Sequence, residues 1–155
     1  MGLLDKLKSV TDVITGGAAK IHVTIKDFCI GETFTVNITV TTSSNPVKFD
    51  QGYLQVRGME EVKVIETRTM EDEYGNYYEE EYETTEYNET FCMDDAFSEG
   101  KTLDADSTFK YSIDVLIPEG SRECHHGPGY KHYYKFLAGL DTFGNDPDSG
   151  WVYKR

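Results

Sequence analysis

Hydrophobic and polar positions alternate along most of this chain, and the period changes once. Leu3, Leu4, Leu7, Val10 and Ile14 recur at helical spacing, with Asp5, Lys6, Lys8 and Asp12 between them. That pattern predicts a short amphipathic helix, ended by Gly16-Gly17. From Ala19 the period becomes two. Ile21, Val23 and Ile25 alternate with His22, Thr24 and Lys26, and a turn follows at Ile30-Gly31-Glu32. Phe34, Val36, Ile38 and Val40 then alternate with Thr33, Thr35, Asn37 and Thr39. Each run has one apolar and one polar face and is rich in β-branched residues, as half-buried strands are.

Ser43-Ser44-Asn45-Pro46 is loop chemistry, because proline removes a ladder donor. Two further strands are predicted over 49–58 and 59–69. Tyr74-Gly75-Asn76-Tyr77 makes a hairpin tip, since Gly and Asn tolerate positive φ. The return arm, 78–90, alternates Tyr and Thr with Glu, and 91–107 reads as acidic and irregular, with a turn at Gly100. Phe109, Tyr111, Ile113, Val115 and Ile117 give the cleanest alternation, stopped by Pro118-Glu119-Gly120. A loop is expected over 121–129 and an aromatic core strand over 130–140. A polar segment leads from there to Trp151, and 151–155 reads as a final packed strand or a contact surface. The sum is an all-β immunoglobulin-like β-sandwich of seven to eight strands over 18–155, preceded by an amphipathic helix and linker over 1–17.

Composition narrows the class. Hydrophobic residues at 38% and aromatics at 13% of 155 residues are enough for a real core. A balance of 15 basic against 28 acidic residues gives −13, the wrong sign for a nucleic-acid backbone or an anionic membrane surface. It suits a basic partner. No apolar run reaches the ~20 residues that span a bilayer, so stable membrane insertion is not expected. Lys6 stands where a myristoylation signal needs Ser or Thr. Cys29, Cys92 and Cys124 are too few and odd in number for a disulfide framework. They read as free thiols in a reducing, cytoplasmic compartment. The sequons at Asn37 and Asn88 are short enough to arise by chance.

Three constellations are candidates for chemistry. Glu79, Glu80, Glu81 and Glu83, with Glu71, Asp72 and Glu73 opposite, face solvent along an exposed edge, meet a basic partner or collect divalent cations. Asp141, Asn145, Asp146 and Asp148 form the better candidate for a cation loop, although they lack EF-hand spacing and also describe plain turn chemistry. Cys124, His125, His126 and His132 include soft zinc ligands without the paired spacing of a structural zinc site. No nucleophile elbow, phosphate-binding glycine loop or metal signature is present, so no enzyme and no cofactor are expected.

The order of elements is also familiar. An early strand over 20–25 is followed by IGETF and FTVNITV, then YLQVRGMEEVKV, FKYSIDVLIPEG, a loop with Gly127-Pro128-Gly129, and YKHYYKFLAGLDTFG. Over 20–148 this resembles the N-terminal domain of arrestin-fold proteins, including the α-arrestins and the bacterial sporulation-control proteins. Ile30 replaces the proline of the family's usual proline-glycine-glutamate turn, and the acidic hairpin is a departure. The resemblance implies a non-enzymatic cytosolic adaptor or scaffold in trafficking, signalling or stress responses. Full members carry two such domains and this chain matches the first, as a half-arrestin or an excised domain would. A lone domain lacks its covering neighbour, which leads us to expect a homodimer or a second chain. Binding is expected through strand edges or end loops, with Trp151 and the hairpin glutamates as contacts. The alternative is a cation- or carbohydrate-binding sandwich using loop 141–148.

Overall fold

The computed structural model describes residues 18–155; the helix expected over 1–17 lies outside the described residues. Among the described residues there are eight strands and no helix. They are β1 (Ala19–Lys26), β2 (Thr33–Thr42), β3 (Val47–Glu71), β4 (Tyr77–Leu103), β5 (Thr108–Leu116), β6 (His125–Gly127), β7 (Tyr130–Thr142) and β8 (Val152–Lys154). They form two antiparallel sheets facing each other. The smaller has the order β1-β2-β5, and the larger has the order β4-β3-β7-β6, with β8 also on β7. The far edge of β7 is covered in three pieces. β6 takes residues 130–132, β8 takes 134–136, and Asp148 bridges to Gly139.

The period-two pattern explains the core. Phe34, Val36, Ile38 and Val40 on β2 point inward with Ile21 and Val23 of β1 and Val115 of β5. Against them stand Leu54 and Val56 of β3 and Tyr134, Phe136, Ala138 and Leu140 of β7, all without solvent exposure. Phe28 and Phe34 stack against each other at 5.2 Å, and Phe28 meets Tyr134 at 5.6 Å. Burial pushes the Tyr134 hydroxyl up to about 12, and that hydroxyl donates to the Arg122 carbonyl.

Three sequence expectations are corrected. The runs 49–58 and 59–69 are one strand of 25 residues, and the segment read as irregular, 91–107, falls largely within a 27-residue partner. The difference of two residues is taken up by two bulges in β4, which leave Phe97 and Thr90 outside the paired register. Each bulge turns the strand's alternation over, and so the sequence pattern there looks broken. A further irregularity at Asp50 of β3 turns Val47 and Phe49, then Leu54 and Val56, to the same interior despite their opposite parity. Finally, the loop expected over 121–129 contains β6.

Turns agree better with the sequence. Gly31 sits at φ 86° and Gly75 at φ 80°, in the left-handed region that suits glycine. No helix among the described residues is long and apolar enough to cross a membrane.

Candidate functional site

β7 stops pairing with β3 at Val62↔Tyr130, but β3 and β4 continue together from Lys63↔Thr85 to Glu71↔Tyr77. Those nine residue pairs, at about 3.4 Å each, make a two-stranded arm roughly 30 Å long beyond the sandwich. The tip is tied by Asp72, whose carboxylate accepts the N–H groups of Tyr74 and Asn76, each at 2.9 Å. The Asn76 N–H, helped by that of Tyr74, holds the Asp72 carboxyl below its usual range. β4 is the outermost strand of its sheet, so its second edge pairs with no strand among the described residues.

Register decides which side chains of the arm share a face. One face continues the sheet's inward side and carries Val62, Val64, Glu66, Arg68 and Met70 beside Glu86, Thr84, Tyr82, Glu80 and Tyr78. It is internally satisfied. Arg68 donates to Glu80 from Nε at 3.0 Å and Nη2 at 2.8 Å, and its guanidinium lies 5.0 Å from the Tyr82 ring centre. The Tyr82 hydroxyl donates to Glu66 at 2.7 Å.

The other face continues the sheet's outward side and differs in kind. It carries Glu61, Ile65, Thr67, Thr69 and Glu71 across from Tyr87, Glu83, Glu81, Glu79 and Tyr77. Its one cation, Lys63, bonds Glu83 at 3.0 Å. Ile65 is 69% exposed, Tyr77 73% and Tyr87 63%. Five of the eight large, exposed hydrophobic side chains of the described residues, Ile65, Tyr74, Tyr77, Tyr78 and Tyr87, lie on the arm or its root. Carboxylates are interleaved there with exposed aromatic and aliphatic side chains.

The candidates read from sequence therefore separate. Glu79, Glu81 and Glu83 come together on the open face, while Glu80 is committed to Arg68 on the other. Trp151 lies at the opposite side of the sheet, half-buried, with Lys135 Nζ 4.4 Å from its ring centre. Ile65 and Tyr87 were not singled out by sequence. The cross-strand register that sets them among glutamates runs unbroken from the hairpin tip to Met59.

Loop 141–148 is laced to β7. Asp146 accepts the Thr142 N–H at 2.9 Å, Asp148 accepts the Gly150 N–H at 2.8 Å, and Leu140 donates to the Pro147 carbonyl. Asn145 accepts from the Thr142 hydroxyl through its carbonyl. Burial raises the Tyr53 hydroxyl pKa, and the negative charges of Asp146, Asp148 and Asp141 raise it further. A Cβ on Gly139 would collide with the Tyr53 hydroxyl, so glycine is what lets β7 pass beneath it. Among the described residues no group of three or more His, Cys, Asp or Glu side chains is placed to hold a metal ion.

The histidines separate as well. His125 pairs with His132 and His126 with Lys131, so alternation sends His126 to the opposite face. Cys124 donates to the Lys154 carbonyl at 3.3 Å. His132 is 1% exposed, and Thr90, the bulge residue, brings its hydroxyl 2.7 Å from His132 Nε2. Nδ1 has no partner of normal hydrogen-bond geometry, with only a weaker influence from the Glu123 backbone. Burial lowers the pKa of His132 below 6.5.

The sign of that shift fixes a pH dependence. Above 6.5 both folded and unfolded chains hold the imidazole neutral; below it, the unfolded chain takes up the proton first. Stability is therefore expected to fall as pH drops through 6.5 toward the lower folded-state value. Urea midpoints of the protein and of His132→Gln, compared at about pH 7.5 and about pH 5.5, read this directly. The loss on acidification should be smaller in the variant, and an equal loss in both would refute the assignment.

The two facing antiparallel sheets and their strand order define an arrestin-like β-sandwich. A solved structure with this fold is the sporulation control protein Spo0M from Bacillus subtilis, which superposes with a TM-score of 0.59 at 14% identity. The alignment covers 90% of this chain and 48% of that one, so the chain spans about half the length of Spo0M. At that identity the likeness is one of fold. No family model matches the sequence, and no curated protein matches it either.

Proposed function

We propose that this chain is a non-enzymatic interaction module, a cytoplasmic adaptor or scaffold that captures a basic protein segment along its projecting arm. The observation that carries this reading is the open face of the arm. There Glu71, Glu79, Glu81 and Glu83 alternate with Ile65, Tyr77 and Tyr87 beside an unpaired strand edge. An extended segment adding to β4 gains main-chain hydrogen bonds from that edge and selectivity from carboxylates and rings. The net charge of −13 speeds the approach of a cationic partner and makes it salt-dependent. The alternative, a cation or carbohydrate site at loop 141–148, has less support, because Asp146 and Asp148 already cap turns. A homodimer remains part of the reading through the same open edge, with the second copy as one of the partners.

The test is affinity capture with the intact chain, in parallel with Glu79→Gln/Glu81→Gln/Glu83→Gln. Basic partners should be recovered by the first and lost, or reduced roughly tenfold or more, with the second. Recovery of the same partners in equal amounts by both would remove the arm's open face from the function.

A further inference from the structure

The outward face of the larger sheet is divided by charge. Beyond Lys63 it carries the open carboxylates of the arm. On the sandwich side of Lys63, β7 carries cations: Lys131 stands opposite Glu61 and Lys135 opposite Arg57. His126 of β6 pairs with Lys131, and Tyr153 of β8 pairs with Lys135. The ends of β6 and β8 meet beside Tyr133. There Glu61, His126, Lys131, Tyr133, Tyr153 and Arg155 line a cleft of about 140 Å³.

These cations rest on rings. The Arg155 guanidinium lies 4.8 Å from the Tyr153 ring centre, and Lys135 Nζ lies 4.4 Å from that of Trp151. The Tyr153 and Tyr133 rings are 5.6 Å apart. A guanidinium stacked on a ring keeps its planar N–H edge available to a carboxylate. Lys131, Lys135 and Arg155 form no ion pair among the described residues. The carboxylates nearby are engaged: Glu61 accepts the Tyr133 hydroxyl at 3.1 Å, and Arg57 holds Glu89 at 3.5 Å and Asp94 at 2.7 Å. On the arm the balance is reversed. Glu79 and Glu81 form no ion pair among the described residues, and Glu83 meets Lys63 alone.

The two halves match in spacing. Glu83 lies across from Ile65 and Glu79 across from Thr69, four residues apart along β3. Lys131 and Lys135 lie across from Glu61 and Arg57, also four residues apart, or about 14 Å. A half-turn about an axis in the plane of the face, at Lys63, carries Ile65 over Glu61 and Thr69 over Arg57 of a second molecule. The glutamates lie on β4 and the lysines on β7, one strand to either side of β3, so an oblique crossing superposes them. Sheets packed face to face cross at about 30°.

We propose that this cationic, ring-backed face receives the acidic arm of a second copy, reciprocally, in a two-fold dimer with Glu83 against Lys131 and Glu79 against Lys135. The proposal rests on the arm being a recognition element and names one occupant of its open face. A second copy and a basic segment then compete for the same carboxylates. The net charge of −13 opposes the approach of two copies, so the contact depends on local pairing rather than on steering.

Sedimentation of the full chain at physiological salt, across the micromolar range, should show a dimer. Glu79→Lys/Glu81→Lys/Glu83→Lys alone and Lys131→Glu/Lys135→Glu/Arg155→Glu alone should each weaken it roughly tenfold or more. An equimolar mixture of the two variants should restore a dimer containing one of each, because both reciprocal contacts are again between opposite charges. Unchanged urea midpoints report that the variants are folded. If either triple variant is unfolded, Glu83→Lys and Lys131→Glu are compared in the same three measurements. A monomeric wild-type chain overturns the proposal. So does a dimer that both variants keep, which assigns association to the open edge of β4, and so does a mixture that stays monomeric. Capture of basic partners that depends on Glu79, Glu81 and Glu83 while the wild-type chain is monomeric overturns the dimer and leaves the reading of the arm standing.

Discussion

Phe136→Ala is expected to lower the unfolding free energy by about 3–5 kcal/mol. Urea unfolding should show this as a lower midpoint with an unchanged slope. The ring is fully buried and lies between both sheets, 6.0 Å from Phe34 and 6.3 Å from Phe28, centre to centre. Removing it leaves a cavity whose walls belong to three different chain segments, β2, β7 and the turn carrying Phe28, so collapse around it is limited. Against a total stability of about 5–15 kcal/mol, such a loss is a large share. Two-state unfolding with a loss under about 1 kcal/mol would show that these rings are not a common core.

Shortening the arm is expected to have the opposite profile: a large effect on binding and a small one on stability. The change joins Lys63 to Thr85 through a two-residue Asn-Gly turn, which suits a hairpin. It removes Ile65, Tyr77, Tyr78 and Glu79, all exposed, and no member of the buried core. The ion pairs it deletes, Arg68–Glu80 and the Lys63–Glu83 contact, are at the surface, where such pairs contribute about 0–1 kcal/mol. The urea midpoint should therefore stay nearly constant while partner capture disappears. Binding that survives the deletion at full strength would assign recognition to the sandwich ends instead.

The sandwich was legible where one face of a strand is buried. β1, β2, β5 and β7 alternate in sequence because they alternate between core and solvent. The arm obscures this signal because both faces of a two-stranded ribbon are wet beyond Val62, so polarity no longer reports direction. The stretch after Phe91 failed for a different reason: the bulges at Thr90 and Phe97 shift the phase of the alternation twice within one strand. β6 is three residues, His125–Gly127, defined by its pairing with β7 and by nothing in its own composition. The acidic run was visible at once. Its division into a closed face around Arg68 and an open face around Ile65 depends on cross-strand register, which sequence spacing does not carry.

The three-piece covering of β7 has a consequence for amide exchange. Successive residues of a central antiparallel strand send their N–H groups to opposite neighbours. Amides of β7 bonded to β3 face a long continuous partner and should exchange only when the whole sandwich opens. Their sequence neighbours face β6, β8 or the Asp148 bridge, short pieces that can detach separately. Deuterium uptake along β7 should therefore run at two tempos, slow and fast at alternate residues, within a single strand that has no free edge over most of its length. Uniform protection along β7 would mean that the short pieces open only together with β3, as one cooperative unit.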